Sequence, residues 1–100
     1  MPFVYAVQRT EDFDEWLAGL RDPVGKARIL ARIDSARFGN LGDCRSVGDK
    51  VSEMRVNIGP GYRVYYTLRR RVVVILLCGG VKGTQARDIA RAERMARELE

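Results

Sequence analysis

The sequence predicts an α+β fold in the order β-α-α-β-β-β-α: an antiparallel sheet with a helical hairpin packed on one face, and a C-terminal helix. Three stretches carry that prediction. Residues 51–68 (VSEMRVNI, GPG, YRVYYTL) alternate apolar and polar on both sides of a glycine-rich break, the signature of a β-hairpin. Residues 10–38 hold two helical patterns, each with its own start signal. Residues 72–78 are continuously apolar, and an amphipathic pattern follows them from Gln85 to about Leu99.

In order along the chain, Phe3 to Gln8 reads as a short strand, with Phe3, Tyr5 and Val7 alternating against Val4 and Ala6. Thr10 offers an N-cap, and Glu11 and Asp12 fall where a helix dipole favours acids. Phe13, Trp16, Leu17 and Leu20 then form one core stripe at helical spacing. Asp22 and Pro23 start a second helix that runs to Phe38 and stops at Gly39. Leu30 and Ala27, with Ile29, Ile33 and Ala36 beside them, form the face expected to pack on the first helix. Lys26, Arg28, Arg32 and Arg37 read as a solvated outer face. Residues 39–48 (GNLGDCRSVG) form a loop with room for a short strand at Cys44–Val47.

In the hairpin, a tight turn at Gly59-Pro60-Gly61 pairs Ile58 with Tyr62, Arg55 with Tyr65 and Asn57 with Arg63. Tyr62, Val64 and Tyr66 then point to the core with Met54 and Val56, while Glu53, Arg55, Asn57, Arg63 and Tyr65 share the other face. Two guanidiniums and a phenol on a rigid sheet suit a phosphate chain with bases to stack on. Arg69-Arg70-Arg71 makes the next turn, and Val72–Cys78 reads as a strand buried on both faces near the centre of the sheet, ended by residues 79–83. Thr84 caps the last helix, whose inner stripe is Ala86, Ile89, Ala92, Ala96 and Leu99. Its outer face interleaves Arg87, Arg91, Arg94 and Arg97 with acids.

One hundred residues make a single domain, 1–100, with a net charge of +5 that points to an anionic partner. The absence of histidine removes the commonest general base and metal ligand, so neither a metal nor another cofactor is expected. Cys44 and Cys78 form no CxxC pair and read as free thiols, one in a polar loop and one buried. The N-terminus lacks the pattern of a signal peptide, and the longest apolar run is far too short to span a bilayer. A cytoplasmic protein with no membrane partner is expected.

The segments GNLGD (39–43), VSEMRVNIGPGYRVYY (51–66), LLCGGVKGTQARDIARA (76–92) and FDEWL (13–17) resemble the RelE/ParE superfamily of bacterial toxins, above all its HigB-like branch of addiction-module killer proteins. The resemblance spans essentially the whole chain. It implies a fold similar to microbial ribonucleases and a toxin neutralised by a cognate antitoxin. For RelE- and HigB-type members it implies an endoribonuclease, an mRNA interferase, that cuts mRNA on the ribosome. Residue by residue it singles out Arg55, Arg63, Tyr65 and Lys82 for catalysis, with Glu53 a further proton-transfer candidate. Arg55, Asn57, Arg63 and Lys82 are the expected RNA-binding groups. Arginines stabilise the phosphorane charge, and without histidine proton transfer falls to Glu53, Tyr65, Lys82 or ribosomal groups.

Two departures stand out: Val81 replaces the acid of the family's usual GGDK, and Gln85 and Asp88 stand where some ribosome-dependent members place an aromatic. Structural roles stay open beside each assignment: Arg63 pairing with Glu53 or Asp49, Tyr65 packed under the last helix, Lys82 as a loop lysine. The expected partners are an acidic antitoxin and ribosome-bound mRNA. The alternatives are a ParE-like gyrase inhibitor and an inactive relative that binds antitoxin or RNA.

Overall fold

The computed structural model describes residues 5–99, so Phe3 and Val4 of the expected first strand lie outside the described residues. The elements are β1 (Ala6–Arg9), α1 (Glu11–Gly19), α2 (Pro23–Arg37), β2 (Cys44–Gly48), β3 (Val51–Val56), β4 (Tyr62–Arg69), β5 (Val73–Val81) and α3 (Gln85–Glu98). The α+β class is as expected, and the short strand β2 is fully part of the sheet. Its order is β1-β5-β4-β3-β2. All pairings are antiparallel except β1–β5, which is parallel. The two helices that separate β1 from the meander supply the crossover a parallel pair needs.

Both helix starts are built as the sequence indicates. Thr10 Oγ1 accepts the Phe13 amide at 3.1 Å, and Asp22 Oδ1 accepts that of Gly25 at 3.0 Å. Asp22 also accepts the Tyr62 hydroxyl at 2.7 Å, which ties the start of α2 to β4. These bonds, the Gly25 amide first and Tyr62 next, hold the Asp22 carboxyl below its ordinary pKa. The expected α1–α2 hairpin is looser than the stripe suggested, because each helix makes its main contacts with the sheet. The buried face of α2 is Gly25, Ile29, Ile33 and Ala36, while Ala27 and Leu30 are exposed. With Phe13 and Leu17 of α1 it covers Met54, Val56, Tyr62, Val64, Tyr66, Val74 and Leu76.

The opposite face belongs to α3. Ala92 and Ala96 pack on Val51, Tyr65, Ile75, Leu77 and Cys78, with Ile89, Met95 and Leu99 at the edges, whereas Ala86 is exposed. Leu77 and Cys78 both face α3 because β5 bulges there: Tyr65 pairs with Cys78, and Tyr66 with Leu76. Burial pushes the Cys78 thiol up to about 11, and both cysteines are free. Cys44, expected in a polar loop, instead packs its half-buried side chain against the α1–α2 core.

The strand β5 does not end at Cys78 but continues through Gly79, Gly80 and Val81. A Cβ on Gly79 would lie 2.2 Å from the Trp16 ring, and one on Gly80 would lie 1.9 Å from Asp88 Oδ2. The glycine pair thus thins the strand on both faces, for α1 on one side and α3 on the other. Thr84 stands at the N-cap position of α3, but its side chain does not cap the helix. Its hydroxyl donates to Asp88 Oδ2 and accepts the Val81 amide at 3.3 Å, across a 3-10 turn at Lys82–Thr84.

The β4–β5 turn is tight: the Val72 amide donates to the Arg69 carbonyl at 3.1 Å, and Arg70 and Arg71 sit at φ 53° and 61°. That is the positive-φ pattern of a type I′ turn, whose favoured pair is Asn-Gly. Arg70→Asn/Arg71→Gly should raise stability by about 1–2 kcal/mol, given the left-handed cost to L-residues. Urea unfolding checks this, and an unchanged or lower midpoint would refute it.

Candidate functional site

The hairpin register differs from the tight-turn expectation by two residues. Val56 pairs with Tyr62, Arg55 with Arg63 and Glu53 with Tyr65. The loop spans five residues because Ile58 and Gly61 turn back locally: the Ile58 amide bonds Val56 O at 2.9 Å and that of Gly61 bonds Ile58 O at 3.0 Å, with Gly59 and Gly61 at positive φ. Asn57 is therefore a loop residue, not a partner of Arg63. A shift of two preserves strand alternation, so Glu53, Arg55, Arg63 and Tyr65 keep their common face.

A row runs across three strands: Arg55 opposite Arg63, and Arg63 opposite Gly80. Lys82 follows two residues later, its amide bonded to Gly61 O at 2.8 Å. A Cβ placed on Gly61 would lie 3.2 Å from Lys82 Cβ and 3.5 Å from Arg63 Nη1, so both basic residues flank that glycine. Arg55, Arg63 and Lys82 thus gather at the Gly59-Pro60-Gly61 end of the sheet.

Each is held differently. Arg55 is half-buried; its Nε and Nη2 donate to Asp43 Oδ1 at 3.1 and 2.6 Å, and Asn57 Nδ2 donates to Asp43 Oδ2 at 3.1 Å. These bonds, Arg55's first, draw the Asp43 carboxyl below its ordinary pKa against partial desolvation. The Asp43 loop is pinned by Arg32 of α2, which donates to the carbonyls of Leu41 (3.0 Å), Asp43 (3.2 Å) and Arg55. Arg32 is thus a structural clamp and not the solvated charge expected on the outer face of α2.

Arg63 is only 6% exposed. Its Nη1 donates to Tyr62 O at 3.3 Å, and its Nε, 4.0 Å from Glu53 Oε2, has no hydrogen-bond partner. Lys82 is exposed.

Glu53 and Tyr65 lie deeper. Both are fully buried beneath α3. Glu53 accepts from Arg45 Nε and Gln85 Nε2, each at 3.1 Å, so its carboxylate joins β2, β3 and the first turn of α3. The Tyr65 hydroxyl is sealed in without a partner. Burial first, then the charges of Glu53 and Asp88, raise its pKa well above that of a free phenol. Neither group reaches the surface where a substrate would lie.

The residues sequence reasoning missed are the supports: Asp43, Arg32, Arg45, Gln85 and Asp88. Arg45 follows from the β2–β3 pairing, where it stands opposite Glu53. Asp43 closes the GNLGD segment, but no local pattern links it to a side chain twelve residues on. Among the described residues no group of three or more histidine, cysteine or acidic side chains is placed to hold a metal.

No family model matches the chain. An uncharacterized protein of Haemophilus influenzae is 48% identical over 93 residues, which span 93% of this chain and 94% of that protein. The chain belongs to that protein's family. Among solved structures, E. coli toxin RelE, determined as a double arginine-to-alanine mutant in the free state, is similar with a TM-score of 0.72 at 14% identity, over 91% of this chain and 96% of that one. At that identity the likeness is one of fold. The chain has the RelE fold.

Because the Tyr65 hydroxyl is buried without a partner, removing it should not weaken the protein. Tyr65→Phe should gain about 1 kcal/mol, the lower part of the cost of an unsatisfied buried donor. Chemical denaturation beside the wild type checks this, and a loss of that size would mean the hydroxyl is bonded after all.

Proposed function

We propose that the chain is the toxin of a toxin–antitoxin pair, in the HigB-like branch of the RelE/ParE superfamily, and that it cuts mRNA on the ribosome. The observation that carries the reading is the gathering of Arg55, Arg63 and Lys82 at one end of a RelE-fold sheet. In the reaction a 2′-oxygen loses its proton and attacks the adjacent phosphorus, and the leaving 5′-oxygen takes up a proton. Arg55 and Arg63 neutralise the charge that builds on the phosphoryl oxygens. Lys82, the exposed titratable group beside them, exchanges a proton with the substrate, or the ribosome does so in its place. Glu53 acts as a positioning residue through Arg63, and Tyr65 as packing beneath α3.

Arg55 reaches a phosphate by sharing or leaving Asp43, an exposed carboxylate with which it forms a surface pair worth little on its own. A site with so few acid–base groups fits an enzyme whose substrate is shaped by a second macromolecule. The antitoxin in this reading is a small acidic protein that covers the basic end, drawn to a chain of net charge +5. The reaction uses no metal or other cofactor. No described helix is long and apolar enough to cross a membrane, and the target places the toxin in the cytoplasm.

Inducible expression in a bacterium, with mRNA 5′ ends mapped for wild type, Arg55→Ala and Lys82→Ala, tests the proposal. New ends inside coding regions, spaced with codons and reduced roughly 100-fold or more in the variants, are expected from the loss of one charge-stabilising donor. Growth arrest with intact mRNA would overturn the nuclease reading in favour of a protein target such as gyrase. Absence of arrest would overturn the toxin reading.

A further inference from the structure

The Arg69-Arg70-Arg71 turn lies at the end of the sheet opposite the Arg55–Lys82 cluster. Tyr62 and Arg69 bound the eight-residue strand between them, a span of roughly 23 Å at ~3.3 Å per residue. Arg69 is fixed, its guanidinium donating to the Leu99 carbonyl at the end of α3. Arg70 and Arg71 are exposed and have no hydrogen bond or ion pair among the described residues. Both hold a left-handed backbone that Asn-Gly would adopt at lower cost, so the fold itself gives no reason for arginine at either position.

Leu68 and Val72, which flank the turn, are 43% and 45% exposed. Beside it, Lys50, Ser46, Ser52, Thr67 and Arg69 line a groove of about 280 Å³. Among the described residues the acids near this end include Asp49, Glu93 and Glu98, and no ion pair joins any of them to Arg70 or Arg71.

We propose that the Arg70–Arg71 tip is a second polyanion-binding surface, which seats on the phosphate backbone of double-helical RNA. Arginine's planar fork matches phosphate and carboxylate oxygens alike, and arginine clusters also read acidic motifs. Shape favours RNA over an acidic peptide, because the hairpin tip is convex and suits the wide, shallow minor groove of an A-form helix. At ~23 Å from the Arg55–Lys82 end, the tip meets a different segment of RNA from any strand held there. The inference does not depend on whether that other end cuts RNA.

The test is fluorescence polarisation of a labelled RNA stem-loop against the wild type, Arg70→Asn/Arg71→Gly, Arg70→Gln/Arg71→Gln and Arg70→Lys/Arg71→Lys, across a salt series. The first variant relieves the turn and the second keeps side-chain length, so a shared loss of binding is not a folding defect. Both should bind more weakly, with the slope of log K against log salt reduced by about 2, near 1 for each phosphate no longer neutralised. The lysine variant should keep most of the slope. Unchanged affinity and slope in the neutral variants would overturn the proposal. So would a loss confined to binding of a poly-glutamate peptide, which would assign the tip to an acidic protein.

Discussion

A carboxylate with no exposed surface, in the middle of a sheet, is costly unless cations and hydrogen-bond donors surround it. Glu53 is that group, and its partners come from three separate elements: Arg45 on the edge strand, Gln85 in the first turn of α3, and Arg63 on the neighbouring strand at 4.0 Å. They can converge only if β2 and β4 both pair with β3 in the observed register and α3 lies across that face. The same register sets the candidate site, because it buries Arg63 with its Nε 4.0 Å from Glu53 while its Nη1 donates to the Tyr62 carbonyl. Arg55, outside this network, is held by Asp43 on a loop that Arg32 fixes.

The two faces of the sheet are built on different terms. Beneath α1 and α2 the contacts are large and apolar, with Phe13, Ile29, Met54, Tyr66 and Leu76 at the centre. Beneath α3 the helix contributes Ala92, Ala96 and the buried Asp88, and the sheet contributes Glu53, Arg63 and Tyr65 beside its aliphatic residues. Gly79 and Gly80, on successive positions of one strand, admit Trp16 from one face and Asp88 from the other. The chain can then pass at Val81 into the turn that brings Lys82 against Gly61.

Much of this is legible in the residues themselves. Thr10 and Asp22-Pro23 announce two helices, alternation from Val51 to Leu68 announces a hairpin with its polar face, and the run ending at Cys78 announces a strand inside the sheet, buried on both faces. Less legible are features set by distant partners. The hairpin register depends on two local backbone bonds in the 57–61 loop, to which alternation is blind when the shift is even. The parallel pairing of β1 with β5 joins residues nearly seventy positions apart. Burial of Glu53 and Tyr65 follows from where α3 settles, and the roles of Arg32 and Asp43 from a loop whose composition shows only that it is a loop.

The most direct test of the central claim, that Glu53 is the charge around which Arg63 and its surroundings are held, is a double-mutant cycle on folding stability with Glu53→Gln, Arg63→Gln and the pair. Glu53→Gln should cost about 3–5 kcal/mol by leaving the buried Arg63 guanidinium without its carboxylate, and Arg63→Gln somewhat less, because Arg45 and Gln85 still bond Glu53. The double should cost clearly less than the sum, with a coupling of about 1 kcal/mol or more. Small single effects, below about 1 kcal/mol, that add without coupling would contradict it and make Glu53 an incidental buried acid.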